Sequence, residues 1–148
     1  ERDGESLKRA GVDFNVSMIF GGQVKGEGMR LFQVYSAGNF IEATADTPFL
    51  QIGEHKYGKP ILDRVVKSDT SLADGVKLVL ISMDSTLRSN LSVGLPIDLM
   101  VYREGGQKVT LSRRITEDDA YFRQVSQRWS DSLREAYRAL PSPGWIAD

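Results

Sequence analysis

The sequence contains no cysteine and only one histidine among its 148 residues. Without cysteine, the chain has no disulfide, no thiolate metal ligand and no cysteine nucleophile. The absence also fits a reducing compartment, and we predict a cytoplasmic protein. A serine triad would need His55, but the sequence has no Gly-x-Ser-x-Gly motif. A lone histidine near the start of a predicted helix is more typical of a solvated surface residue.

Long apolar runs and a basic excess are also missing. The run at 78–81 has only four residues, whereas a membrane span needs about 20. Lys and Arg number 19 against 20 Asp and Glu, which gives a net charge of −1. A protein that binds nucleic acid normally carries a basic excess. We therefore predict neither a membrane partner nor a nucleic-acid partner, and the charged opening at 1–5 predicts no signal peptide.

The residues that are present indicate one soluble domain of class α+β. Hydrophobic residues make up 41% and charged residues 26%, which is ordinary for a globular domain. Alternating and helical spacings predict antiparallel strands and helices that each occur in blocks. The segment 1–12 is interpreted as a linker or the frayed end of a preceding element, and 142–148 as a tail. The predicted strands are 13–20, ended by Gly21-Gly22, then 29–35, 40–43, 97–103 and 109–115, and the predicted helices are 55–67, one of about 18 residues from Leu72, and one from Thr116 to Pro141. Ser71-Leu72-Ala73-Asp74 resembles a capping box at the start of the second helix, with Asp in place of Glu or Gln. One apolar stripe marks the buried face of that helix: Leu72, Val76, Val79, Leu80, Met83 and Leu87.

Several charged or glycine-rich patterns have an ordinary structural interpretation. Glu117-Asp118-Asp119 could suggest a metal site, but acidic residues at a helix start more often compensate the helix dipole. Adjacent Arg113 and Arg114 on a strand point to opposite faces, which disfavours joint phosphate binding. The glycines at 21–26 follow a strand but open no helix, so they do not form a phosphate loop. We expect no metal and no cofactor.

The loop Arg-Ser-Asn-Leu-Ser-Val-Gly at 88–94 carries two hydroxyls and an amide within four residues. Such a loop is suited to hold a nearby ionisable group by hydrogen bonds. The spacing is more typical of a helix C-cap, since Asn90 and Gly94 tolerate a left-handed backbone and serine satisfies end carbonyls. Spacing alone therefore favours the cap and leaves the functional interpretation open.

Three longer phrases resemble a known family. Gly21-Gly22 after a strand, followed by Leu-Phe-Gln-Val-Tyr-Ser-Ala-Gly-Asn-Phe-Ile-Glu-Ala at 31–43, resembles the central meander of proteasome β-type subunits. The phrases at 50–64 and 84–98 resemble the bacterial proteasome-related peptidases called the ancestral β-subunit family. The resemblance spans about residues 13–140.

The resemblance implies an N-terminal-nucleophile hydrolase with a four-layer αββα sandwich, in which two antiparallel sheets stack between helices. The family's nucleophile is a Thr at the first position of the mature chain, its α-amine is the general base, and the family forms large homo-oligomers that cleave polypeptides. Residue 1 here is Glu. The resemblance therefore implies that 13–141 is the C-terminal part of such a domain, without the Thr, and that this chain alone is inactive. A partner unfoldase is not readable from the sequence.

The same resemblance implies a supporting shell around the nucleophile's amine. Ser92 aligns with the serine that hydrogen-bonds that amine. Ser89 stands where the family has Asp, and Glu54 stands where it usually has Ser. Glu54 could lie near the amine as a charged partner or face solvent. The alternative function is a structural subunit that keeps the fold and assembles without cleaving. If the chain is such a fragment, two rows of apolar side chains on its strands should be partly exposed to solvent. The first row comprises residues 14, 16, 18 and 20, and the second comprises residues 97, 99 and 101.

Overall fold

Two antiparallel sheets and three helices make up the part of the chain that the computed structural model describes, residues 16–146. The order is the predicted one: three strands, two helices, a hairpin and a last helix. All strand pairs are antiparallel, which confirms the predicted α+β class. The elements are β1 Met18–Gln23, β2 Met29–Val34, β3 Phe40–Glu42, α1 Lys59–Val65, α2 Leu72–Ser89, β4 Ile97–Tyr102, β5 Val109–Ile115 and α3 Ala120–Ala139.

Strand β1 extends further along the chain than the sequence pattern predicts. Gly21 and Gly22, predicted to end it, instead pair with Leu31 and Arg30 of β2. A Cβ on Gly21 would lie 2.8 Å from Cδ1 of Leu31, so the end of that side chain would have to shift to admit any other residue. Gly21 therefore lets the Leu31 side chain pack against the β1 backbone, whereas Gly22 has open space around it. Residues 13–15 of the predicted strand lie outside the described residues.

One face of the three-stranded sheet is mostly apolar and open, with the Arg30–Glu42 ion pair at one end of it. Directly opposed residues share a face, so Met18 and Phe20 lie beside Val34 and Phe32, with Phe40 next on β3. Phe20 and Phe40 are each 64% exposed. The rings of Phe32 and Phe40 meet edge to face with centroids 5.8 Å apart. The first apolar row is thus bare, as predicted, at its described members Val16, Met18 and Phe20.

The core lies between α2, α3 and the β4–β5 hairpin. Leu80, Ile115 and Phe122 are buried against one another. Ile97 and Leu99, in the second row predicted to be partly bare, pack against this cluster. The second row is partly bare, as predicted: Ile97, Leu99 and Val101 are half-buried, because α2 and α3 cover only part of this face of the hairpin.

Helix α2 begins as predicted but buries a wider face. Ser71 Oγ accepts the Asp74 N–H at 3.1 Å, which is the predicted N-cap. Leu78 and Ile81 are buried although the predicted stripe omitted them, whereas Val79 in that stripe is 44% exposed. The difference arises because α2 packs against both α1 and α3.

The other two helices begin later than predicted. The Lys59 N–H donates to the His55 carbonyl at 2.8 Å, and residues 56–58 form a turn before α1. Pro60 lies in the first turn of that helix, where its missing N–H costs nothing. Helix α3 starts after Asp119, whose carboxylate accepts the Phe122 N–H at 2.8 Å. Within residues 16–146, no helix is both long and apolar enough to cross a membrane.

Candidate active site

The segment before α1 lies against α2 at Gly58. Gly58 is buried, and a Cβ on it would overlap the side chain of Ser82. Its φ of −93° is open to any residue, so the glycine is required by space and not by backbone conformation. The same segment meets the end of α2 at Glu54, whose carboxylate accepts a hydrogen bond from Asn90.

Asn90 joins two of the predicted site residues. Its Nδ2 donates to Glu54 Oε2 at 2.9 Å. Its Oδ1 accepts both the backbone N–H of Ser92 at 2.8 Å and the Ser92 hydroxyl at 2.7 Å. Lys56 Nζ lies 3.6 Å from Glu54 Oε2 and is mostly exposed. We call Glu54, Asn90 and Ser92 the polar cluster.

The end of α2 is fixed in place, and this sets the position of Asn90. The Asn90 N–H donates to the Thr86 carbonyl at 2.9 Å. One turn earlier, buried Asp84 accepts from Arg88 Nε at 3.1 Å. Arg88 Nη2 donates to Ser126 Oγ of α3 at 2.8 Å, which ties the two helices together. The cluster therefore lies on a helix end that is fixed by backbone hydrogen bonds within α2 and by the Arg88–Ser126 contact to α3.

The structure does not bring Ser89 to the polar cluster. Ser89 is the exposed last residue of α2, and within residues 16–146 its side chain takes part in none of the hydrogen bonds that build the cluster. The Glu54 side chain is 26% exposed, so it is held by protein on one side and open on the other. The two contacts of Ser92 to Asn90 are also loop contacts, so the capping interpretation of Ser92 stays open beside the shell interpretation.

His55 faces a different cavity. Its Nδ1 lies 3.0 Å from the Gly53 carbonyl, and because a carbonyl only accepts, Nδ1 carries the hydrogen. With Phe49 and Lys59, the ring lines a cavity of about 470 Å³. The described residues that line this cavity include no serine, so they supply no serine triad with His55.

The remaining charged candidates serve the fold. Hydrogen bonds from the Phe122 N–H and from Arg113 hold the pKa of the Asp119 carboxyl below its ordinary value. Arg114 lies 3.5 Å from Asp98 on the other face of the hairpin, as the strand alternation predicts. Within residues 16–146, no three His, Asp or Glu side chains are grouped so as to hold a metal ion.

Asn90 is the member of the polar cluster that sequence reasoning missed. Its amide was noted as part of the loop, but its partner Glu54 lies 36 residues away along the chain. The spacing within a loop gives no signal for such a contact. Only the close packing of the 53–58 segment on α2 brings it about.

Comparisons with known proteins agree on one family. The model of the proteasome subunit family matches residues 4–101. No curated protein matches the chain significantly. Among solved structures, Anbu from Hyphomicrobium sp. strain MC1 is 59% identical with a TM-score of 0.85, over 95% of this chain and 60% of that one.

Two further structures give the same result. Anbu (ancestral beta-subunit) from Yersinia bercovieri is 53% identical with a TM-score of 0.85, over 94% of this chain and 60% of that one. The helical assembly of the Anbu complex from Pseudomonas aeruginosa is 45% identical with a TM-score of 0.87, over 98% of this chain and 63% of that one. The chain thus spans less than two thirds of the length of these relatives.

Proposed function

Because the chain belongs to the proteasome subunit family, we propose that it forms part of a bacterial threonine peptidase that acts in the cytoplasm. The reaction is amide hydrolysis of polypeptides through an acyl-enzyme on an N-terminal threonine, with no cofactor. We place that threonine in the part of the relatives that this chain does not span. Residues 13–141 are then the C-terminal part of the peptidase domain.

The polar cluster is the observation that carries this proposal. An N-terminal nucleophile uses its own α-amine to take the proton from its hydroxyl, so the amine must be held at a fixed place. Glu54 and Ser92, from two separate segments, are joined through Asn90, and both keep oxygen lone pairs beyond these contacts. Such acceptors support an assignment of the cluster as the seat of the amine. Ser89 has no assigned part in it.

A second candidate is an assembly function without cleavage. The Pseudomonas aeruginosa relative is described as a helical assembly, and this chain exposes a broad apolar sheet face. Both observations favour self-association into a large homo-oligomer. Self-association is also expected of the peptidase, so it does not separate the two candidates.

Peptidase assays on two forms separate the candidates. The first form is the chain with its natural upstream sequence, processed to an N-terminal Thr. The second is the 148-residue chain alone. Against a panel of fluorogenic peptides, we expect turnover from the first form and none from the second, because the second has Glu at residue 1.

The matched control replaces the N-terminal Thr of the long form by Ala. Loss of turnover with unchanged assembly size would support the peptidase. Assembled long form that cleaves no peptide would favour the assembly function, and turnover that survives the Ala replacement would contradict the threonine mechanism.

A further inference from the structure

A groove lies between α1 and the first turns of α2, and no side chain of the described residues fills it. It has a volume of about 250 Å³, and its walls include Val66 of α1 and Leu72, Gly75 and Val79 of α2. Leu72 and Val79 are each 44% exposed, although both are large and apolar. Among the described residues that line the groove, Lys67 is the one charged side chain, and it is exposed. The groove is therefore an open, mainly apolar surface between two helices.

Gly75 is the residue of this groove that the fold itself does not explain. Glycine within a helix is less favourable than alanine, because it loses more backbone freedom on folding. A Cβ added to Gly75 would meet no atom of the described residues within 4 Å, and Gly75 lies within the regular helix α2. Neither space nor backbone conformation within the chain therefore requires glycine. The missing side chain leaves the groove deep enough to accept a bulky side chain from outside.

The chain also carries an exposed apolar segment after α3, residues 140–146, which we call the tail. The tail contains no charged residue. The Ile146 N–H donates to the Pro143 carbonyl at 3.2 Å and closes a turn that presents Trp145. Trp145 is 83% exposed, and Leu140 is 70% exposed. Tryptophan is prominent among the side chains that anchor protein interfaces, because it supplies a large contact area at a low cost in conformational entropy.

The tail of one copy is directed away from the groove of the same copy. Near the start of α3, Tyr121 lines a cavity with Val76 and Leu80 of α2. Further along α3, Ser126 Oγ accepts a hydrogen bond from Arg88 at the end of α2. Helix α3 therefore leads toward the C-terminal end of α2, and the tail follows α3. The groove, by contrast, lies at the first turns of α2.

We propose that the tail of one copy docks in the groove of a second copy, with Trp145 as the anchor over Gly75. Two different surfaces of one chain then meet head to tail, and such a contact adds copies in series, whereas an isologous contact stops at a pair. The contact buries no unpaired charge, because the tail has none and the ammonium of exposed Lys67 stays in solvent. The inference rests on the self-association proposed above and adds the two surfaces that make it.

The test uses two variants that each lack one half of the contact. Both carry Phe20→Ser and Phe40→Ser, so that the apolar sheet face does not contribute. Gly75→Phe fills the groove, and Trp145→Ala with Ile146→Ala removes the anchor of the tail. In sedimentation velocity over a concentration series, we expect each variant alone to associate about 30-fold more weakly than the parent with Phe20→Ser and Phe40→Ser, because loss of a Trp anchor has effects of this size.

An equimolar mixture of the two variants should restore the contact once. The intact tail of the Gly75→Phe protein fits the intact groove of the tail variant, so we expect a one-to-one dimer and no longer series. Val79→Arg, at a half-exposed position on the groove wall, tests the groove a second time without an added ring. Leu91→Ala, fully exposed and outside both surfaces, is the matched control and should associate as the parent does. Thermal melting confirms that each variant is folded.

Four results would overturn the proposal. They are a parent that stays monomeric at every concentration, a tail variant that associates as the parent does, groove variants that both do so, and a mixture of folded variants that forms no dimer. Self-association of the wild type through the sheet face alone would leave the proposed assembly standing, and peptidase activity of the long form does not bear on this contact. Failure of this inference and failure of the proposed function are therefore distinguishable.

Discussion

At the scale of single residues, a substitution of Ser92 can distinguish a catalytic role of its hydroxyl from a structural role in the loop. If its hydroxyl oxygen holds the amine of the nucleophile, Ser92→Ala in the long form should lower kcat about 10- to 100-fold, since a hydrogen bond to a charged group contributes roughly 1.5–3 kcal/mol. Folding should be almost unchanged. Steady-state kinetics and thermal melting of the purified variant measure the two effects.

The capping interpretation of Ser92 makes the opposite prediction. A lost loop contact to Asn90 should lower Tm slightly and leave activity per folded molecule unchanged. Leu91→Ala in the same loop is the matched control, because its exposed side chain belongs to neither role. If Ser92→Ala behaves in this second way, Ser92 does not belong to the site.

Asp119 combines a helix cap with an ion pair, and two variants separate these contributions. Asn is as good an N-cap as Asp, so Asp119→Asn should lose only the half-exposed contact to Arg113, at a cost of about 0.2–1 kcal/mol. Asp119→Ala also loses the cap, which adds about 1 kcal/mol. Urea unfolding at pH 7 checks both values, and equal stability of the two variants would contradict the cap.

The lowered pKa of Asp119 also predicts how its contribution depends on pH. A carboxyl whose folded pKa is lowered stabilises the fold above its unfolded pKa, about 3.9 for Asp, and loses that effect as pH falls through the folded pKa. The stability difference between the wild type and Asp119→Asn should therefore be constant above pH 5 and shrink in more acidic solution. A stability difference that grows on acidification would show that the pKa of Asp119 is raised in the folded protein and not lowered.

Residue-level prediction succeeded where the interaction is local and failed where it is distant. Ser71 was identified as a cap because its partner Asp74 lies three residues away. Asn90 was not identified as the centre of the cluster, because its contact to Glu54 exists only once two segments pack. Glu54 and Ser92 are predicted for the site only through resemblance to a family, because spacing gives no signal for Glu54 and favours a helix cap for the loop of Ser92.

At the scale of elements, Gly58 controls how closely the segment before α1 approaches α2. Gly58→Ala should destabilise the fold by about 1–3 kcal/mol, because the new Cβ would overlap Ser82. Gly75→Ala is the matched control: Gly75 lies in α2 with open space around it, and alanine there should stabilise by about 0.5–1 kcal/mol. Chemical denaturation of both variants measures the contrast.

A second variant identifies the clash. Adding Ser82→Ala to Gly58→Ala should recover part of the lost stability, since it removes the Oγ but leaves the Ser82 Cβ and carbonyl within 3.0 Å. Gly58→Ala should also disturb the Glu54–Asn90 contact, visible as a shift of the Asn90 side-chain NH₂ signal. A fully stable Gly58→Ala protein with an unshifted signal would mean that this approach does not position Glu54.

The type and order of elements could be read from the sequence, whereas their edges could not. The order of strands and helices follows from hydrophobic period and turn residues, which are local properties. Gly21 is predicted to end the strand but continues it, because its pairing with Leu31 depends on the neighbouring strand and leaves no local signal. The predicted buried face of α2 is too narrow. A single apolar stripe fits a helix that packs against one element, whereas α2 packs against both α1 and α3.

At the scale of the whole molecule, one face of the three-stranded sheet exposes several large apolar side chains to solvent. Met18, Phe20 and Phe40 are between 49% and 64% exposed on one face. At about 25 cal/mol per Å², covering a few such side chains is worth several kcal/mol, against about 5–15 kcal/mol for the stability of a domain. Apolar surface and free sheet edges of this kind recruit further protein.

We therefore predict that the 148-residue chain self-associates at micromolar concentration through this face. Sedimentation velocity should show species larger than 16.5 kDa that dissociate on dilution. The double variant Phe20→Ser with Phe40→Ser should shift the distribution toward the monomer, because it removes the two most exposed rings of the face. Leu91→Ser removes an apolar side chain that is even more exposed but lies outside this face, and it should leave the distribution unchanged. A single sharp species near 16.5 kDa that binds no dye for apolar surface would mean that the face is not adhesive.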